Sequence, residues 1–228
     1  SAGSGSTVGG GQDNDASNGW STIAGGKDNL VSGPYSFVGA GRGNKASATS
    51  ASVAGGEYNT ASFSYATVGG GLGNEATDTK ATVSGGGANS ASSDFSSIGG
   101  GNQNSASGTT STIAGGVLNT AAGDVSTIGG GYTNLSTGTA STVAGGYENH
   151  AWNYYSVVAG GFQNVAGGNS ASILGGGLLN ASGDYSSVAG GSRNTASADY
   201  SSVLGGEYNE VAGMRSAIVG GRDLKLTG

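Results

Sequence analysis

The chain has 228 residues, of which 50 are glycine, one is proline and none is cysteine, with charged residues at only 10% and a formal charge of −6. Glycine does not fall at every third position, which excludes collagen, and the few Lys and Arg form no patch, which argues against a nucleic-acid partner. Without cysteine there is no disulfide framework to speak for or against secretion, and no apolar run reaches transmembrane length.

An apolar β-branched residue occupies every fifteenth position, from Val8, Ile23 and Val38 to Val203 and Ile218, fifteen times without insertion or deletion. A disordered chain has no reason to keep such a phase, so the low complexity reads as repetition. Tandem units fill residues 1–221, and 222–228 read as a terminal coil or a transition to a further domain. The chain starts in mid-unit at Ser1 and is expected to be part of something longer.

Within a unit the elements follow in order. Ser186 to Gly190 alternates with period two, Ser186, Val188 and Gly190 facing one way and Ser187 and Ala189 the other, which predicts a short strand. Gly190-Gly191 then permits a positive-φ turn, and Asn194, one of thirteen asparagines at this place in the fifteen copies, is expected to tolerate such a conformation too. A second short strand carries Ala196, and a variable segment closes the loop. Helical hairpin repeats need more than about thirty residues, and paired glycines weaken helices, so two strands and two turns per fifteen residues predict one coil of a parallel β-solenoid. Equivalent residues then stack into an apolar valine ladder and an amide ladder of asparagines.

One such coil buries little apolar surface against the entropy of ordering it. The outer face of the first strand is small and uncharged, as at Thr127, Gly129, Thr142 and Ala144, and becomes apolar at Leu174, Leu204 and Val219. Two bland faces predict burial on both sides, by packing several chains around a common axis.

The unit Ser-x-Val-x-Gly-Gly-x-x-Asn-x-Ala resembles the head repeats of trimeric autotransporter adhesins, the YadA-like class of Gram-negative surface proteins, over essentially the whole chain. It is most similar to the long uninterrupted heads of Burkholderia adhesins of this class. The resemblance implies an all-β fold: a left-handed parallel β-roll of about fifteen coils in each chain of a homotrimer. It further implies display at the outer-membrane surface, attachment to host cells or extracellular-matrix proteins, and a membrane contact only through a C-terminal anchor outside this sequence. The best-known heads use units about one residue shorter with an Ala-Ile-Gly core, where this chain has Val-x-Gly-Gly. In the last copy Arg222-Asp223-Leu224-Lys225-Leu226 replaces the asparagine and alanine with leucines.

Nothing in the composition builds a catalytic constellation, so neither an enzyme nor a cofactor nor a metal site is expected. The lone histidine, His150, reads as a solvent-facing turn residue. Calcium-binding solenoids use a nine-residue period with an aspartate in each copy, and the Gly-Gly-Gly stretches lack the Lys-Ser or Lys-Thr of a phosphate loop. A threonine column from Thr7 to Thr142 suggests ice binding, but Phe37 and Val157 interrupt it. Variation gathers in two places. The turn after Gly-Gly carries Tyr58, Tyr132, Tyr147-Glu148, Phe162 and Tyr208, expected to be exposed and available for contact. The segment before the strand carries Trp20, Tyr35, Tyr65, Phe95, Tyr155, Tyr185 and Tyr200, expected to pack over a glycine or a neighbouring chain. Trp152, Tyr154 and Tyr155 make the most distinctive local surface. Tyr58, Tyr132, Tyr147, Trp152, Tyr154, Phe162 and Tyr208 are therefore the candidate contact surface for a protein ligand. The alternative is a structural spacer, such as a phage tail-fibre shaft, with no ligand of its own.

Overall fold

The computed structural model describes residues 3–228, and the chain is an all-β parallel solenoid of about fifteen turns. Its contacts divide into two compact units, Ser1–Gly116 and Val117–Gly228, built on one plan. In the first unit, two-residue strands such as Thr82–Val83 pair in parallel with Thr67–Val68 and Ser97–Ile98, and a second set, such as Glu75–Ala76, pairs with Thr60–Ala61 and Ser90–Ala91. The second unit repeats this with Thr142–Val143 between Thr127–Ile128 and Val157–Val158, and with His150–Ala151 between Leu135–Ser136 and Val165–Ala166. Every partner lies fifteen residues away, so the predicted register holds throughout.

The core of each turn is thin. The β-branched residue and the alanine eight positions later are both buried, as at Val83 with Ala91 or Val188 with Ala196. A buried Ser or Ala two residues before the apolar position completes it, as at Ala81, Ser96 and Ser141. Some of these serines bond locally, Ser96 Oγ donating to Ser93 O at 2.7 Å and Ser141 Oγ to Gly138 O at 2.7 Å, whereas the buried hydroxyls of Ser111, Ser126 and Ser186 have no partner among the described residues.

Each turn also makes a third backbone ladder that the repeat pattern does not announce. The residue after the second glycine forms a parallel bridge to its equivalents, through Lys27, Arg42 and Glu57 in the first unit and Tyr132, Tyr147 and Phe162 in the second. Short strands with three ladder contacts replace longer strands with two. The amide ladder is present as expected. Asn74 Oδ1 accepts from the backbone N–H of Asn89 at 3.0 Å, and Asn89 Nδ2 donates to Gly85 O and Gly101 O, each at 3.0 Å.

One expectation is corrected. Asn194 does not take positive φ; its neighbour Arg193 does, at 54°, as do Asp28, Tyr58, Glu148 and Gln163 at the same place in other turns. The asparagine must point its amide inward to carry the ladder, so the left-handed residue falls one position earlier, where the N–H still bonds the adjoining turn: Arg193 N donates to Gly177 O at 3.0 Å. A second left-handed corner falls immediately before the buried Ser or Ala, at Trp20, Tyr35, Tyr155 and Tyr200 among others. The last copy keeps the register despite its leucines, Lys225–Leu226 pairing with Glu210–Val211.

Candidate functional site

The two left-handed corners and the bridge position are where side chains leave the coil without meeting the core. The aromatic residues of the second corner follow their expectation in part. Trp20 lies over Gly5, where an added Cβ would come 2.9 Å from the ring, and Tyr185 stacks on Tyr200 with centroids 5.0 Å apart, yet all of them stay more than half exposed.

The seven candidate contact residues divide between the two units. Tyr58 belongs to the first unit, where the Arg42 guanidinium sits 5.6 Å from its ring centre. Tyr208, in the second unit, is held by Arg193, whose Nη1 donates to the phenol oxygen at 2.8 Å. Tyr154 is exposed and, among the described residues, makes no ring pairing. The remaining four fall into two ring groupings. Tyr132, Tyr147 and Phe162 hold successive bridge positions and stack with centroids 5.4 Å apart, at 6° and then 24° between planes. Offset-parallel stacking of this kind stabilises by about 0.5–1.5 kcal/mol per pair. Trp152 packs on His150 at 5.8 Å and 29°.

A shallow depression of about 290 Å³ is lined by Thr133, Glu148 and Gln163, which directly follow Tyr132, Tyr147 and Phe162 in the chain, and by Val165 and His150, on which Trp152 packs. Its walls are successive columns of the solenoid, so the spacing of one turn sets the spacing of the polar groups. Glu148 is held there by a donor from the next turn. The Gln163 amide donates to Glu148 Oε2, and the carboxylate's hydrogen bond to the Tyr147 hydroxyl, reinforced by its charge, holds that phenol above its ordinary 10.0.

His150 corrects its sequence reading. It lies in a strand, His150–Ala151, and is half-buried rather than a free turn residue. Burial lowers its pKa from the ordinary 6.5, outweighing the opposing pull of Glu148. Below about pH 6.5 the unfolded chain binds this proton more readily than the folded one, so the stability tied to His150 is present above that pH and falls as the pH drops. His150→Gln is expected to remove this component of the acid loss, read as the difference in thermal midpoint between about pH 7.5 and about pH 5 in the two proteins.

Glu148 stood among the variable turn residues, but Thr133, Gln163 and Val165 carried no signal as individual residues. Aligned fifteen apart, Thr133-Glu148-Gln163 and His150-Val165 become two adjacent polar and mixed columns beside Tyr132-Tyr147-Phe162. Among the described residues no group of three His, Cys, Asp or Glu could hold a metal ion, and no helix is long and apolar enough to cross a membrane. Comparison of the chain with family models and with curated proteins found no match to either.

Proposed function

We propose that the chain is the head of a bacterial surface adhesin, a left-handed β-roll that packs side by side as a homotrimer and attaches the cell to host surfaces or matrix proteins. The observation that carries the assembly is one uncharged ribbon. The residue before the apolar position, the residue after it and the one after that are never charged in any of the fifteen copies, and the last of these is glycine in all but Ala40. The single chain explains part of this, since a Cβ on Gly39 or Gly129 would come 2.2 or 2.3 Å from the next turn's carbonyl oxygen and Gly70 and Gly130 take φ of 148° and 152°. It gives no reason for the absence of charge or for glycine in other copies. Gly25, Gly85, Gly115 and Gly175 have ordinary φ and open space where a side chain would stand. On the same ribbon Leu174, Leu204 and Val219 are 66%, 53% and 77% exposed. Close approach of another chain accounts for small residues without charge and for apolar residues left in water.

Sedimentation velocity tests the assembly. A species near three times the 21.6 kDa chain mass is expected, and Ala144→Asp, which places a charge on the ribbon, is expected to return it to one chain with its far-ultraviolet circular dichroism retained. A wild-type monomer at micromolar concentration would remove the trimer. Adhesion is tested separately, by binding of the assembled chain to epithelial cells and to immobilised collagen, fibronectin and laminin. Failure on all of these would favour the spacer reading.

A further inference from the structure

The depression between Glu148 and His150 has a composition that points to one ligand chemistry. No Lys or Arg occurs between Lys80 and Arg193, so nothing in this part of the chain attracts a sulfated or carboxylated ligand. The Glu148 carboxylate is held by a neutral donor, the Gln163 amide on Oε2, which leaves it acceptor capacity toward the depression. Across from it stands His150, kept neutral near pH 7 by burial and so able to donate from one ring nitrogen and accept at the other. Thr133 adds a hydroxyl that does both, and Val165 supplies an apolar patch.

Flat apolar surface is available at two places. Phe162 ends its stack over Gly177, where a Cβ would rest 3.9 Å from the ring, so the equivalent position of the next turn adds no side chain there, and Phe162 is 44% exposed. Trp152 is half exposed beyond His150. Fixed neutral donors and acceptors beside open aromatic faces suit a molecule with alternating hydroxyl groups and C–H faces. Successive turns stand ~4.8 Å apart, so Thr133, Glu148 and Gln163 offer polar groups at the spacing of one turn to a linear polymer of rings.

We propose that this depression binds a neutral oligosaccharide, with Glu148, Gln163 and His150 bonding ring hydroxyls and Trp152 and Phe162 covering C–H faces. The assignment rests on reading the chain as a binding module but not on the trimer, since every residue it uses lies in one chain.

Saturation-transfer difference NMR on the intact chain tests it with cellotetraose, chitotetraose and lacto-N-tetraose as neutral probes, a heparin tetrasaccharide as the anionic one and pentalysine as the cationic one. Transfer to the ring protons of at least one neutral probe is expected, with none to heparin or pentalysine. Glu148→Ala and Trp152→Ala are each expected to weaken that binding about tenfold or more. Both side chains are outside the buried ladders, and Glu148→Gln, which keeps the shape, guards against a folding effect. Silence from all neutral probes, unchanged binding by the variants, or transfer to pentalysine that Glu148→Ala abolishes would each overturn the proposal. Cell attachment retained by a Trp152→Ala protein that has lost the sugar would overturn this site's part in adhesion while leaving the adhesin reading intact. Sugar binding without any cell or matrix attachment would do the reverse.

Discussion

Gly86→Ala is expected to destroy the local fold, with a loss of about 4 kcal/mol or more, while Gly85→Ala beside it is expected to stay within about 1 kcal/mol of wild type. A Cβ on Gly86 would lie 2.1 Å from Gly101 O and 2.7 Å from Asn89 Nδ2, and the residue sits at φ 92°. Neither neighbour can yield cheaply. Gly101 O is the acceptor for Gly87 N at 2.9 Å and for Asn89 Nδ2 at 3.0 Å, so displacing it breaks a bridge bond and an amide-ladder bond together. Gly85 has ordinary φ and nothing within 4 Å, and Ala40 occupies the equivalent place in the third copy. Chemical denaturation of the two variants is the measurement. Equal losses would mean that the two glycines serve the same purpose and that the stacking contact at Gly86 is not what fixes it.

The contrast shows which parts of this fold the sequence makes legible. A period of fifteen with β-branched residues in phase leaves little but a solenoid, and the burial of Val83, Ala91 and Asn89 follows from their recurrence. Recurrence alone does not say why a position is constant. Gly85 and Gly86 recur almost equally, yet only Gly86 is demanded by the chain's own backbone. The left-handed residue was legible as a need for positive φ but not as a position, because Arg193, Tyr58 and Gln163 carry no preference that betrays it. Their strain is offset by a ladder bond to the neighbouring turn, which exists only once the coil has closed. The candidate site was partly legible for the same reason. Large aromatic residues stand out along the chain, whereas Thr133, Gln163 and Val165 acquire meaning only when the turns are laid over one another.

The asparagine ladder yields the second large effect, and the chain contains its own control. Asn89→Leu is expected to destabilise by about 3 kcal/mol. It strands the buried N–H of Asn104, which donates to Asn89 Oδ1 at 3.0 Å, and it removes the donor to the half-buried Gly85 O. Bulk is not the reason, because Leu179 takes the same place in its own turn at 1% exposure. At Leu179 the ladder still reaches the backbone, the Leu179 N–H donating to Asn164 Oδ1 at 2.9 Å, but the leucine has nothing to pass to Asn194. Leu179→Asn should therefore restore an acceptor for the Asn194 N–H and donors for Gly175 O and Gly191 O, stabilising the second unit by about 1–2 kcal/mol. In a stack where each turn contacts only its neighbours, both changes are expected to appear first as altered amide hydrogen exchange in the flanking turns and then in the global denaturation midpoint. Should Asn89→Leu prove as stable as wild type, the apolar ladder of Val and Ala would have to carry the fold without its amide companion.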